Sequence, residues 1–247
     1  MASLNPVGTP FIELLTVDST NNYAIGMLNA GMAQHGTAVF AHEQTNGRGQ
    51  RGKHWHSAAN QNIQMSVVLE PALVTSQMFL LSKMVAIAAC RFFNSYAKEQ
   101  VTIKWPNDLY WRDRKAGGIL IENQITGSDW KFAIAGIGIN TNQVDFGDLN
   151  NKAVSLRQIT GASFETVPLA KQLCTYIEEA LGLLKHPSQI HDLYKNSMYK
   201  LNERVRLKKA SRVFDAIIKD VTPAGELVVM HAVEERFAVG EVEWLLE

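Results

Sequence analysis

The chain has 247 residues, which is enough for one large domain or for a large and a small one. Hydrophobic residues make up 46% of it and charged residues 19%, a composition typical of soluble globular proteins. Its 24 basic and 24 acidic residues give a formal net charge of zero, so bulk electrostatics offers no support for a protein that binds DNA. The two cysteines, Cys90 and Cys174, lie in apolar helical stretches, which predicts core packing and argues against a disulfide framework.

The sequence does not indicate export or membrane insertion. The N-terminal segment lacks a basic stretch followed by a long apolar run, which a signal peptide would need. No run approaches the roughly 18 consecutive apolar residues of a membrane span. We therefore expect a cytoplasmic protein that does not interact with membranes.

Strand and helix patterns alternate along the first 200 residues. We predict strands at 11–17, 37–42, 62–70, 101–105, 117–125 and 130–139, the last two joined by a hairpin turn at 126–129. We predict helices from the N-cap residue Ser19 to Gly31 and at 76–96, 166–184 and 188–199. The strands are largely antiparallel in this interpretation, which makes the fold class α+β.

The character of the sequence changes near residue 201. From there on, short β-rich segments are separated by turn residues such as Pro223-Ala224-Gly225. This pattern predicts an all-β module of about 45 residues, SH3-like in size. We therefore expect two domains, with residues 1–200 forming the larger one and residues 201–247 forming the β-module.

Residues 47–55, with the sequence GRGQRGKHW, form the segment with the clearest chemical character. Three glycines allow the backbone to approach a ligand closely, and successive N–H groups in such a loop can surround an anion. Arg48, Arg51 and Lys53 add positive charge, and arginine suits bidentate contacts to phosphate. The segment therefore predicts a site for a polyanion such as a nucleoside triphosphate.

The same glycine spacing also fits a dinucleotide-binding fingerprint. A strand precedes it, and Glu70 lies near the distance expected for the ribose-binding acid. No helical pattern opens at the last glycine, however, which disfavours a dinucleotide site. The segment also fits a plain basic surface loop or a zinc site at His54 and His56, although the histidine pair lacks a third ligand in the sequence around it.

Two further segments combine glycine with polar residues. After Pro106 ends a strand, Asn107 and Asp108 are free to hold Mg²⁺ or a ribose, and Lys115 precedes a strand that starts with two glycines. In residues 136–142, glycines at alternate strand positions leave one face bare, so a ligand can lie against the backbone. Taken alone, the first segment also fits a solvated turn and the second a strand bulge.

The motifs, in this order, resemble those of the biotin protein ligases. That family carries a Gly-Arg-Gly-Arg-Arg-Gly loop followed by Trp, then Lys-Trp-Pro-Asn-Asp, then Lys-x-x-Gly-Ile-Leu-x-Glu, then Gly-x-Gly-Ile-Asn. Each motif has a counterpart here, beginning at Gly47, Lys104, Lys115 and Gly136, and the resemblance covers nearly the whole chain. It implies a mixed sheet with flanking helices, like that of class II aminoacyl-tRNA synthetases, and a small C-terminal SH3-like β-barrel.

The resemblance also implies a set of site residues. The biotin site would comprise Ser19, Thr20, Asn21, Gln44, Gly47, Arg48, Lys115, Gly118, Gly136 and Gly138. The ATP and adenylate site would comprise Arg48, Gln50, Arg51, Lys53, Trp55, Asn107, Asp108 and Asn140. Lys115, Arg48 and Arg51 would be the catalytic cations, and Mg²⁺ would enter with ATP, with Asp108 as its candidate ligand.

The implied activity is ATP-dependent activation of biotin to biotinyl-5′-AMP, followed by transfer of biotin to a lysine of a biotin carboxyl carrier protein. Because the catalytic pattern begins by residue 11, we expect a short form without a helix-turn-helix and without operator binding. A monomer and a homodimer are both compatible with the sequence. Three competing functions are a lipoate or octanoate ligase on a related fold, a non-enzymatic sensor of biotin or nucleotide, and an NAD-binding oxidoreductase, which the lack of a helix after the glycine loop disfavours.

One position departs from the family pattern. Gln50 stands where the family has an arginine that helps to retain the reactive adenylate. Glutamine still donates a hydrogen bond but carries no charge. We therefore expect this chain to release biotinyl-adenylate more readily than relatives that have arginine there.

Overall fold

The computed structural model describes residues 4–97 and 99–245. Its larger sheet has seven strands in the order β1-β2-β3-β7-β6-β5-β4. These strands are β1 Phe11–Val17, β2 Ala38–Gln44, β3 Ile63–Leu69, β4 Val101–Lys104, β5 Asp108–Trp111, β6 Arg114–Thr126 and β7 Asp129–Ile139. β1 and β2 pair in parallel and the other neighbours in this sheet pair antiparallel. The mixed, mainly antiparallel sheet confirms the predicted fold class.

Five helices flank this sheet in the described residues: α1 Thr20–Asn29, α2 Met78–Asn94, α3 Leu156–Thr160, α4 Thr166–Leu181 and α5 Pro187–Asn196. α2 is the central one, and it packs against α4 and α5. Contrary to the expectation from sequence, Thr75–Asn94 does have the length and mean hydropathy, 1.3, of a membrane span. Because 67% of that window is buried inside the fold, the hydropathy reflects a core helix.

The second sheet has five strands in the order β11-β10-β9-β8-β12, all paired antiparallel. They are β8 Arg204–Lys209, β9 Arg212–Val221, β10 Leu227–Met230, β11 Glu234–Phe237 and β12 Glu243–Trp244. The strands lie where the sequence predicted the small all-β module. One hydrophobic cluster includes residues of both sheets, so the two share a core. The division into domains at residue 200 stays a prediction.

Two short elements escaped sequence analysis. β5 and α3 have only four and five residues, too few to establish a periodic pattern. Both cysteines are buried and free, which confirms the predicted core packing. Burial raises the pKa of each thiol to about 12, so both stay protonated at neutral pH.

Candidate active site

The segments singled out in the sequence converge on one cavity of about 760 Å³ between the two sheets. The predicted residues that line it are Ser19, Thr20, Asn21, Gln44, Arg48, Gln50, Arg51, Lys53, Trp55, Asn107, Asp108, Lys115, Gly118, Gly136 and Gly138. Gly47 and Asn140 are the two predicted site residues that do not line it. Positions far apart in sequence are thus brought together, as the resemblance implied.

The floor of the cavity is bare backbone on the central strands. Gly138 of β7 pairs with Gln64 of β3 on one side and with Gly118 of β6 on the other, and Gly118 pairs in turn with Asp108 of β5. Cross-strand partners present their side chains on the same face of a sheet. This row of four paired residues, called the rung below, therefore faces the cavity with two glycines between two polar residues. A Cβ at Gly138 would lie 2.5 Å from the Trp55 indole, so only glycine fits there.

A chain of polar side chains lines one end of this floor. The Thr20 backbone N–H donates to Gln44 Oε1 at 2.8 Å, and Gln44 Nε2 donates to Gln64 Oε1 at 3.0 Å. The Ser66 hydroxyl lies 2.7 Å from Thr20 Oγ1 and donates to Asn21 Oδ1 at 2.5 Å. Because α1 starts at Thr20, its first turn points these groups into the cavity, and all three of Thr20, Asn21 and Ser66 are buried.

Lys115 and Asp108 form an ion pair at the other end of the floor. Their Nζ and Oδ1 atoms are 2.7 Å apart, and the ammonium lies 5.7 Å from the centroid of the Trp55 ring. Asn140 lies behind this pair: its Nδ2 donates to the carbonyls of Lys115 and Val154 at 3.2 Å each. Asn140 does not line the cavity, and its amide holds the Lys115 backbone, so its nucleotide contact stays a prediction.

The basic loop folds back on itself above the floor. The Trp55 N–H donates to the Gly47 carbonyl at 2.9 Å, and the Gly49 N–H donates to the Lys53 carbonyl at 2.7 Å. Gly47 is buried under this closure, where a Cβ would lie 2.5 Å from the Trp55 carbonyl oxygen. Gly47 therefore permits the loop to close and does not line the cavity, and its place in the biotin site stays a prediction.

The loop cations are held by different parts of the protein. Arg48 pairs with Glu122 at 2.9 Å and donates to Asn22 Oδ1 at 2.8 Å. Arg51 donates to the Gly240 carbonyl at 3.1 Å, which connects the loop to the second sheet. The helical turn at Gln50–Gly52 is a single 3-10 turn, and no helix opens at its last glycine. This agrees with the sequence argument that disfavoured a dinucleotide site.

One half-buried cation in the cavity, Lys104, is absent from the predicted site residues. It donates to the Tyr110 hydroxyl at 3.2 Å and lies between two rings, 4.8 Å from the centroid of Tyr110 and 5.5 Å from that of Trp244. Burial lowers the pKa of Lys104 to about 8, although the nearby Asp108 opposes this shift. Burial also raises the pKa of Tyr110. Trp244 belongs to the second sheet, so no local sequence signal could have placed it here.

The cavity contains the candidate Mg²⁺ ligand but no complete metal cage. In the described part of the chain, no group of three His, Cys, Asp or Glu residues could hold a metal ion. Asp108 offers one carboxylate, and the Asn107 amide nitrogen donates to the Ile119 carbonyl. One carboxylate fits an ion that binds mainly through substrate phosphates, as Mg²⁺ usually does.

Residues 14–140, more than half of the chain, match the biotin/lipoate A/B protein ligase family. The chain belongs to this family. It is 34% identical over 176 residues to the bifunctional ligase/repressor BirA of Bacillus spizizenii, covering 70% of this chain and 54% of that protein. It is 35% identical over 131 residues to the biotin–acetyl-CoA-carboxylase ligase of Paracoccus denitrificans, covering 51% and 52%. The chain thus spans about half the length of these curated relatives.

Among solved structures, the fold resembles that of the biotin protein ligase from Aquifex aeolicus in complex with biotin and ATP. The TM-score is 0.80 at 24% identity, over 96% of this chain and 98% of the other. At this identity the likeness shows the fold, and it confirms the ligase-type architecture, including the C-terminal five-stranded sheet, that the motifs implied.

Proposed function

We propose that this chain is a biotin ligase, which activates biotin with ATP and transfers it to a lysine of a carboxylase subunit. The observation that carries the proposal is the layout of the cavity. A floor of bare glycine backbone runs from a polar amide cluster to the Lys115–Asp108 pair, and a loop with three cations, Arg48, Arg51 and Lys53, lies above it. The polar edge of the biotin head would meet the amide cluster, and the biotin carboxylate would meet Lys115. The triphosphate of ATP would meet the loop cations.

The first step would form biotinyl-5′-AMP. The biotin carboxylate attacks the α-phosphorus of ATP, and pyrophosphate leaves. Two anions must meet, so the site must supply positive charge where the new charge develops. Lys115 lies at the end of the floor that would hold the biotin carboxylate, where its ammonium can bridge this carboxylate and the α-phosphate. Holding both reactants in one pocket supplies a further large part of the rate.

Mg²⁺ would enter with ATP and neutralise part of the phosphate charge. Asp108 and Asn107, which both line the cavity, are the donor set in this chain that fits the ion. Because Asp108 is paired with Lys115 in the structure, ATP would free Lys115 for its phosphate as Asp108 turns to the metal.

In the second step, a lysine amine of the acceptor attacks the acyl carbon of the mixed anhydride, and AMP leaves. This step needs no nucleophile from the ligase. The relative from Paracoccus denitrificans is named for acetyl-CoA carboxylase, which supports a biotin carboxyl carrier protein or domain as the acceptor. We extend the proposal to a cytoplasmic enzyme that binds no operator DNA, in keeping with its net charge of zero.

The proposal assigns the site residues as the resemblance did, with two changes. Ser19, Thr20, Asn21 and Gln44 would surround the biotin head. Gly47 would shape the loop rather than contact biotin, and Asn140 would position Lys115 rather than contact the nucleotide. The division into a catalytic domain at 1–200 and a β-module at 201–247 belongs to the same proposal.

The test is mass spectrometry after incubation with Mg-ATP and an equimolar mixture of biotin, lipoate and octanoate. We expect biotinyl-adenylate from the wild type and far less from Lys115→Ala over the same incubation time. Lys131→Ala is the matched control, since Lys131 is an exposed lysine on the same hairpin. Lipoyl- or octanoyl-adenylate would contradict the biotin assignment, and biotin binding without any adenylate would make the chain a sensor.

A further inference from the structure

Two buried donors that line the cavity lack a hydrogen-bond partner in the described residues: Trp55 Nε1 and Gln64 Nε2. Trp55 belongs to the basic loop, where the backbone has few fixed neighbours. Gln64 belongs to β3, which is paired on both sides, and its residue is only 1% exposed. Gln64 Nε2 is a donor without a protein partner beside the cavity, so a ligand in the cavity can supply the acceptor that the fold does not.

The orientation of the Gln64 amide is fixed by a backbone group. The Thr20 N–H can only donate, so the atom of Gln44 that faces it is Oε1. Gln44 Nε2 is then the donor that faces Gln64, and the atom of Gln64 that accepts this hydrogen bond is Oε1. Gln64 Nε2 is therefore the atom left without a partner, and a flipped amide would break this chain of hydrogen bonds.

The position of Gln64 on the sheet indicates which part of a ligand it meets. Its rung continues through Gly138 and Gly118 to Asp108, the partner of Lys115. Three strand spacings of about 4.8 Å separate the two ends of the rung. A ligand that displaces the Trp55 ring from Gly138 and lies along the rung with its carboxylate at Lys115 therefore brings its opposite end towards Gln64.

On the basis of the proposed function, we propose that Gln64 determines specificity by donating a hydrogen bond from Nε2 to the ureido oxygen of biotin. The ureido oxygen is the strong acceptor of the biotin head, since the ring nitrogens are donors and the thioether sulfur is a weak acceptor. A saturated acyl chain such as octanoate offers no acceptor there and would leave the donor buried and unpaired. Gln64 thus favours biotin and rejects plain fatty acids.

Two variants separate the donor from the rest of the side chain. Gln64→Met keeps the length of the side chain and removes both polar atoms. Gln64→Glu keeps an acceptor for Gln44 Nε2 but has no donor at neutral pH. We expect both to raise the Kd for biotin by roughly tenfold or more, because a site built to hydrogen-bond a substrate group discriminates strongly against its loss.

The experiment measures the Kd for biotin, desthiobiotin and octanoate by calorimetry, and KM and kcat for biotin in adenylate formation. The Gln64 variants should raise KM for biotin and leave kcat/KM for ATP unchanged, and Gln64→Met should bind octanoate no more weakly than the wild type does. Desthiobiotin keeps the ureido oxygen and lacks sulfur, so it should lose affinity by the same factor. Gln100→Met, at an exposed glutamine outside the cavity, is the control.

The outcomes distinguish this inference from the proposed function. Wild-type affinity for biotin in Gln64→Met and Gln64→Glu overturns the role of Gln64 and leaves the ligase intact. A loss for biotin but not for desthiobiotin overturns the ureido contact in favour of sulfur. Equal losses for biotin and octanoate show structural damage and also overturn the role. A wild type that forms no biotinyl-adenylate removes the proposed function, and this inference with it.

Discussion

The glycine floor and the basic loop both bear the marks of a ligand site, but they are built differently. The floor lies on β6 and β7, in the middle of the seven-stranded sheet, and its glycines face fixed neighbours on both sides. The loop at 47–55 is largely exposed and contains one 3-10 turn. A floor of this kind can recognise shape with little reorganisation, whereas the loop supplies charge that must be redirected when ATP binds.

The contacts of the loop cations show how this redirection could work. Arg48 is paired with Glu122, with 41% and 22% of their side chains exposed, and Arg51 is bound to a backbone carbonyl. Ion pairs of this exposure stabilise a protein by about 0–1 kcal/mol, so a triphosphate can replace them at little cost. The glycines of the floor have no side chains that could exchange one partner for another in this way. Changes to the floor should therefore affect biotin, and changes to the loop should affect ATP and the adenylate.

The largest expected effect comes from Lys115, which stands where floor and loop meet. Lys115→Ala should lower the rate of adenylate formation by roughly 100-fold to 1,000-fold, the usual cost of removing one preorganised group that stabilises developing charge. Biotin-dependent exchange of pyrophosphate into ATP measures this step, and an unchanged melting temperature shows an intact fold. An exchange rate near that of the wild type would remove Lys115 from the mechanism.

The next effect comes from a substitution in the glycine floor that leaves the basic loop unchanged. A Cβ at Gly136 would collide with the Asn21 side-chain oxygen, which is buried and hydrogen-bonded to Ser66. Overpacking of this kind costs about 1–3 kcal/mol, so Gly136→Ala should weaken biotin binding roughly tenfold or more. Its KM for ATP should stay close to that of the wild type. If KM for ATP rises as much as the Kd for biotin, the proposed division of labour is wrong.

Gly26→Ala is the matched control for this variant. Gly26 lies within α1, and no atom lies within 4 Å of an added Cβ. Removing a glycine from a helix interior should raise the free energy of unfolding by about 0.5–1 kcal/mol. Biotin affinity should not change. Thermal or denaturant unfolding, measured beside biotin titration, checks both expectations.

Sequence predicted those parts of the fold whose signals are local. β1 at Phe11–Val17 and the β6–β7 hairpin carry alternation or turn residues within a few positions, and both were predicted correctly. The residues lining the cavity were predicted mainly through motifs that resemble a known family. Gln64 escaped because its neighbours across the sheet, and hence its place beside the glycines, depend on strand register. The bonds of the Asn140 amide to the Lys115 and Val154 carbonyls escaped as well, because a motif does not show which way a side chain turns.

The third effect concerns Lys104, a lysine of β4 that lines the cavity together with the basic loop. The pKa of Lys104 is lowered to about 8 by burial, so this lysine is charged below that pH and neutral above it. If it attracts ATP, kcat/KM for ATP should fall roughly tenfold between about pH 7 and about pH 9, since this parameter follows the free enzyme. In Lys104→Met, kcat/KM should be lower at neutral pH, and the step near pH 8 should disappear. An identical step in both proteins would assign it to another group.

The smallest effect concerns how firmly the loop holds the adenylate. Gln50 lines the cavity in the 3-10 turn of the loop. A charged donor forms a hydrogen bond stronger by about 1 kcal/mol than a neutral one, so Gln50→Arg should slow release of biotinyl-adenylate roughly fivefold. The release rate is measured by chasing preformed complex with excess unlabelled biotin. Gln50→Met, which keeps length without a donor, should release faster than the wild type.

This variant pair decides whether the loop retains the adenylate by charge or only by covering it. If charge matters, the release rates follow the order Met, Gln, Arg from fastest to slowest, and high salt reduces the advantage of arginine, because the contact is exposed enough to be screened. Equal rates in all three proteins would contradict a role for position 50. The adenylate would then be held by the glycine floor and the Trp55 ring that lies on it, and the loop would serve ATP alone.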